Sequence, residues 1–167
     1  EEGVRSPRPF GARDDVIKSM KTKLIPIAFL VMAVVFVYLR FTAFRPNLAQ
    51  MRVGSATVRA EVADTIGKRT KGLSGRESLP QNQGMLFTLG DPIQSSFWMK
   101  EVRFPLDFIW IRDGRVVDIT KNVPYPVGDN PPISVSPREP VTAVLEVNAD
   151  FTERHAVKIG DRVELVR

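Results

Sequence analysis

The chain has no cysteine and a single histidine, His155, in 167 residues. Without cysteine there is no disulfide, no thiol nucleophile and no thiolate metal site. One histidine excludes a multi-histidine zinc centre and obliges any Ser-His-Asp triad to use His155. The folded part also lacks a surplus of either charge. The net charge is +5, but residues 1–45 hold 8 Lys/Arg against 4 Asp/Glu, whereas residues 46–167 hold 16 against 15. A nucleic-acid-binding domain concentrates basic residues on its fold, so nucleic acid is not an expected partner. Internal repeats and heptads are absent too. What remains is ordinary: 43% hydrophobic, 26% charged, 11 Gly and 13 Pro. Wholesale disorder and a collagen-like fibre are excluded, and the length suits one domain with or without an appendage.

The appendage is at the front. Residues 24–39 (LIPIAFLVMAVVFVYL) form an uncharged run of 16. As a helix it spans about 24 Å at 1.5 Å per residue. Continued through Arg40 to Phe44 it reaches about 31 Å, matching the roughly 30 Å hydrocarbon core. Arg40 can snorkel, and Pro26 lies in the first turn, where a missing N–H is harmless. An apolar core helix and a cleaved signal peptide are the rivals. Asn47-Leu48-Ala49 is the nearest approach to an A-x-A-like cleavage site, and Asn at its first position is poor. The chain therefore divides into a disordered basic segment (1–19), a transmembrane anchor or uncleaved signal (20–44), a linker (45–51) and a domain (52–167). Arg13, Lys18, Lys21 and Lys23 before the run, against Arg40, Arg45 and Arg52 after it, orient that domain outward, in the periplasm or its equivalent.

The domain reads as mostly β. Val58, Ala60 and Val62 alternate with Arg59 and Glu61 as in a half-exposed strand. Asp64 or Thr65 caps a short helix over residues 66–71, and Gly72 ends it. Residues 107–111 (DFIWI) are apolar on both faces, which predicts a central strand covered on both sides. Asp113-Gly114 after it is a hairpin signal, because both residues tolerate positive φ. A Pro-rich connection over residues 124–140 carries a short extended piece near 133–135. Residues 141–147 and 159–166 supply late strands. About seven strands and one short helix predict a mainly β domain, β-rich α+β, closing as a compact antiparallel barrel or sandwich behind one transmembrane helix.

Six segments in order carry a resemblance: Arg69-Thr70-Lys71-Gly72-Leu73-Ser74-Gly75-Arg76, Gly84-Met85-Leu86-Phe87, Phe97-Trp98-Met99-Lys100, Pro105-Leu106-Asp107, Val144-Leu145-Glu146-Val147-Asn148-Ala149 and Ile159-Gly160-Asp161. Over residues 52–166 the chain resembles the family catalogued as domain of unknown function 192. The resemblance implies a small β-rich fold, commonly behind a signal peptide or anchor in bacteria and archaea, and no established activity. After Lys100 this chain has Glu101-Val102, where the family more typically has Asn-Thr.

Strand alternation puts Trp98 and Lys100 on one face, with Phe97 and Met99 toward the core. An aromatic platform beside a cation suits a sugar or an anionic, partly apolar ligand; a Trp half-packed on the barrel beside a solvated Lys is the plainer reading. Arg76, with Arg69, flanks a Gly-rich turn suited to an anion. Asn122 and Asn148 are further ligand-binding candidates, unless they only satisfy turn backbone. Asp107 shares a face with Ile109 and Ile111 and needs a partner such as Lys100 or Arg76. Glu146 interrupts an apolar run, so it faces solvent or a cavity. Asp107 with Glu146 is the one carboxylate pair suited to acid–base work. Gly128-Asp129-Asn130 falls short of a calcium sphere, and no metal or cofactor is expected. The residues favour a membrane-anchored binding or accessory module for a small ligand or envelope polymer, working through Trp98 and Lys100. The alternatives are an envelope hydrolase using Asp107 and Glu146, and a domain that binds only a protein partner.

Overall fold

Alternation along the chain decides which strands lie at the edge of the sheet and which lie in its middle. The computed structural model describes residues 29–36, 38, 48–128 and 130–166. They fall into two units, one within residues 1–45 and one within 46–167. In the first, α1 covers residues 29–36 and 38, and its apolar side chains are exposed. The rest of the expected anchor lies outside the described residues. Among those that are described, no helix is long and apolar enough to cross a membrane.

The second unit is mainly β. Its strands are β1 (Leu48–Val53), β2 (Ala56–Ala63), β3 (Gln83–Ile93), β4 (Phe97–Trp98), β5 (Leu106–Arg112), β6 (Arg115–Val123), β7 (Ser134–Val135), β8 (Val141–Asn148) and β9 (Val163–Leu165). Two short helices, α2 (Ile66–Lys71) and α3 (Phe151–Arg154), interrupt them. Seven strands form one sheet in the order β6-β5-β8-β3-β2-β1-β9, and β4 pairs with β7 apart from it. A bridge between Arg115 and Arg162 brings the two edges of the sheet together. The backbone N–H of Val116 reaches Asp161 O at 2.9 Å, and that of Val163 reaches Gly114 O at 2.8 Å. The sheet thus curls into a half-barrel.

β5, expected at the centre, lies beside the edge strand β6 but is covered on both faces. Leu106, Phe108 and Trp110 face one side, Ile109 and Ile111 the other, and all are buried. Full burial of each such side chain contributes about 1.5–3 kcal/mol. The inner face gathers Val58, Ala60, Leu145, Val147 and Phe151. The outer face gathers Met85, Phe87, Phe108, Trp110 and Val144, roofed by Leu73, Leu79, Met99, Val102 and Phe104 from the connections.

Local signals hold where the chemistry is local. Thr65 Oγ1 accepts the Lys68 N–H at 3.3 Å as the cap of α2, and Gly72 closes that helix at φ 49°. Asp113 and Gly114 turn the β5–β6 hairpin at φ 53° and 68°. Other expectations are corrected. The sheet is not purely antiparallel: β2 and β3 run parallel, because the connection through α2 is long enough to cross over the outer face. Residues 48–51, read as linker, belong to β1, which pairs with β2 along its whole length. Residues 97–100 are a strand only at Phe97 and Trp98. The second helix, α3, falls in a polar stretch with no apolar period.

Candidate functional site

Asp107 and Glu146 lie one register step apart on neighbouring strands, yet on different faces of the sheet. Across β5 and β8, Asp107 pairs with Val147 and Phe108 pairs with Glu146. Side chains alternate along a strand, so the two carboxyls project from opposite faces of the sheet. The carboxylate pair expected of a hydrolase does not share a pocket.

Asp107 is fully buried on the inner face. Its Oδ1 accepts the Asn122 N–H at 2.8 Å; its Oδ2 accepts the Thr152 N–H at 2.9 Å and the Thr152 hydroxyl at 2.6 Å. Neither Lys100 nor Arg76 is its partner. Asn122 stands at φ 53°, and its Oδ1 accepts the Asp150 N–H at 3.0 Å. Asn148 Nδ2 donates to Leu79 O at 2.9 Å. Both asparagines, expected among the ligand-binding residues, are therefore engaged in holding turns. His155 is exposed and packs against the Phe151 ring.

Glu146 is different. It lies on the outer face between Met85 of β3 and Phe108 of β5, only 5% exposed. No hydrogen bond among the described residues reaches its carboxyl. No completely enclosed side-chain oxygen or nitrogen lacks a partner, so the Glu146 oxygens open onto the cavity that the residue lines. Burial pushes this carboxyl from its ordinary 4.5 up to about 8, and the Arg76 guanidinium offsets only part of that. Arg76 is itself held by Glu61, Nη2 to Oε2 at 2.7 Å. Burial thus favours the neutral acid, which donates as well as accepts.

The cavity above it has a volume of about 250 Å³. One wall is α2 with the turn after it, contributing Arg69, Thr70, Lys71 and Ser74. The other is the approach to β4, contributing Ser95, Ser96, Phe97 and Trp98, with Phe87 alongside. Arg69 Nη1 donates to Asp64 O at 3.2 Å and Thr88 O at 3.0 Å, which fixes its guanidinium at the rim. The Phe97 ring meets Phe87 edge-on at 5.2 Å and Trp110 at 5.6 Å. Trp98 is 54% exposed, with Lys100 Nζ 5.6 Å from its ring centre. The expected Trp98–Lys100 platform is present, but only its Trp98 half lines this cavity. Lys100 lines a second depression with Gly75, Glu101 and Pro132.

Sequence reasoning missed Glu61 and the Ser95-Ser96 pair. Two small hydroxyl residues directly before an aromatic strand are the signal that marks that wall. The departure at Glu101 is a matter of backbone. Glu101 sits at φ 56°, its carbonyl accepting the Gly75 N–H at 2.9 Å. That conformation suits Asn, whose short polar side chain tolerates it. Among the described residues no group of three His, Cys, Asp or Glu could hold a metal ion.

The profile of a family described as DUF192, Uncharacterized ACR, matches residues 49–165. Two solved structures are similar. A Sinorhizobium meliloti 1021 protein described as "a putative transcription regulator" is 32% identical, with a TM-score of 0.64, over 71% of this chain and 93% of its own. A protein of unknown function from Novosphingobium aromaticivorans DSM 12444 is 34% identical, with a TM-score of 0.62, over 70% of this chain and 84% of its own. No curated protein matches the chain.

Proposed function

This chain belongs to the DUF192 family, and from that premise we propose that it is a small-ligand binding module whose site is the cavity between α2 and β4. The observation that carries this reading is Glu146: a buried residue whose carboxyl takes no hydrogen bond among the described residues and opens onto a cavity lined by hydroxyls and aromatic rings. The module is membrane-tethered and extracytoplasmic in this reading. What supports that is the apolar run over residues 24–44 with basic residues on both sides.

The test is a thermal-shift screen of the full chain in detergent against sugars, organic acids and nucleotides, with Trp98→Ala beside it. A ligand at about 100 times its Kd adds roughly 2.7 kcal/mol, or several degrees. The expected result is a shift that Trp98→Ala abolishes while leaving the unliganded midpoint nearly unchanged, since Trp98 is half exposed. A screen without a hit, or a hit indifferent to Trp98, overturns the assignment.

A further inference from the structure

Granting that the cavity is a binding site, its chemistry narrows the ligand. Charge comes first: Arg69 and Lys71 line the α2 wall, while among the described residues the only acidic side chain lining the cavity is Glu146. The other cation acting on Glu146, Arg76, is itself ion-paired to Glu61. The β3 and β5 neighbours of Glu146, Met85 and Phe108, carry no charge. The rim therefore attracts anions, and the floor offers a carboxyl without a partner. Shape comes next. A volume of about 250 Å³ falls just below the roughly 300–1,000 Å³ of drug-sized sites, so it takes one ring rather than a chain. The lining mixes the hydroxyls of Thr70 on the α2 wall and Ser95 and Ser96 on the β4 wall with the aromatic rings of Phe97 and Trp98.

We infer that the ligand is an acidic sugar ring, a hexuronate, seated with its carboxylate at Arg69, its C–H face against Trp98 and a hydroxyl on the Glu146 carboxyl. Arg69 suits the carboxylate because two of its donor contacts already hold the guanidinium in place, so little ordering remains. The aromatic face excludes water from one side of the ring, and the hydroxyl residues meet its edge. A neutral Glu146 accepts an anionic guest; an ionised one repels it. The same chemistry fits a free hexuronic acid or one unit of an acidic envelope polysaccharide.

The experiment is titration calorimetry of the full chain in detergent with D-glucuronate, D-glucose and a galacturonate trimer. At about pH 6 glucuronate binds about tenfold or more tighter than glucose, the equivalent of one charge-assisted hydrogen bond. Arg69→Gln removes that preference, so that glucuronate and glucose bind the variant with equal affinity. At about pH 10, above the Glu146 value, glucuronate binding weakens about tenfold, and Glu146→Gln abolishes this dependence. A trimer that binds tighter than the monomer identifies the polymer as source; a trimer that binds no better identifies the free acid. Equal affinity for glucose and glucuronate overturns the acidic-sugar assignment and leaves the cavity as a binding site. Absence of binding by all three overturns the assignment as well, and a hit of another class in the thermal screen would then separate it from failure of the cavity itself.

Discussion

Two buried carboxyls one register step apart on neighbouring strands, Asp107 on β5 and Glu146 on β8, meet opposite fates. On the inner face Asp107 accepts three hydrogen bonds and ties the β6 turn to α3. On the outer face Glu146 accepts none among the described residues and borders a cavity. The inner face is closed by the curl of the sheet itself. The outer face is roofed by connections, and connections leave gaps. Stability is concentrated where hydrogen bonds and packing agree; a site is left where they do not.

The largest way to break this contrast is on the inner face. Asp107→Ala orphans the N–H groups of Asn122 and Thr152 and the Thr152 hydroxyl. At about 1–2 kcal/mol for each donor left unpaired, the loss is about 3–6 kcal/mol. Urea denaturation measures it. A loss below about 1 kcal/mol would mean that water replaces the carboxylate and that the inner face is not the structural one.

On the outer face the same comparison becomes a pH dependence. The folded Glu146 value of about 8 lies above the ordinary 4.5, so between them the folded state holds a proton that the unfolded chain has released. The stability is fully present below about 4.5, declines as pH rises toward about 8, and is level above that. Between about pH 5 and pH 7.5 the decline is about 3 kcal/mol. Glu146→Gln flattens that part of the profile. Parallel profiles for parent and variant would show that Glu146 ionises freely in the fold.

How much of this was legible depends on the range of the interaction. The α2 cap at Thr65, the Asp113-Gly114 hairpin and the two-sided burial of β5 were readable because each is set within a few residues. Asp107 was rightly placed on the face of Ile109 and Ile111. Its relation to Glu146 was not readable, because alternation fixes parity within one strand and only the β5–β8 register fixes it between strands. The parallel β2–β3 pair was hidden for the same reason. Trp98 and Arg69 were found as a platform and a turn residue, but their meeting around one cavity depends on where the long connections cross the sheet. The β1 start at Leu48 was overlooked because its first residues are only partly buried.

The smallest effect concerns the roof itself. Of the five non-glycine residues at positive φ among those described, three are Asp or Asn; Glu101 and Ala156 are the exceptions. Glu101 is exposed, and its side chain takes no part in the outer core, so its identity matters through the backbone alone. Glu101→Asn relieves that strain and raises stability by about 0.5–1 kcal/mol, read as a small rise in the thermal midpoint. Glu101→Gln, with the same backbone preference as Glu, serves as the control and leaves the midpoint unchanged. The Gly75 N–H bond to the Glu101 carbonyl persists in both variants, since it uses main chain only. Equal midpoints for Asn and Gln would assign the position to side-chain chemistry after all. A gain with Asn alone would show that the outer roof, unlike the inner face, keeps backbone strain that the fold tolerates.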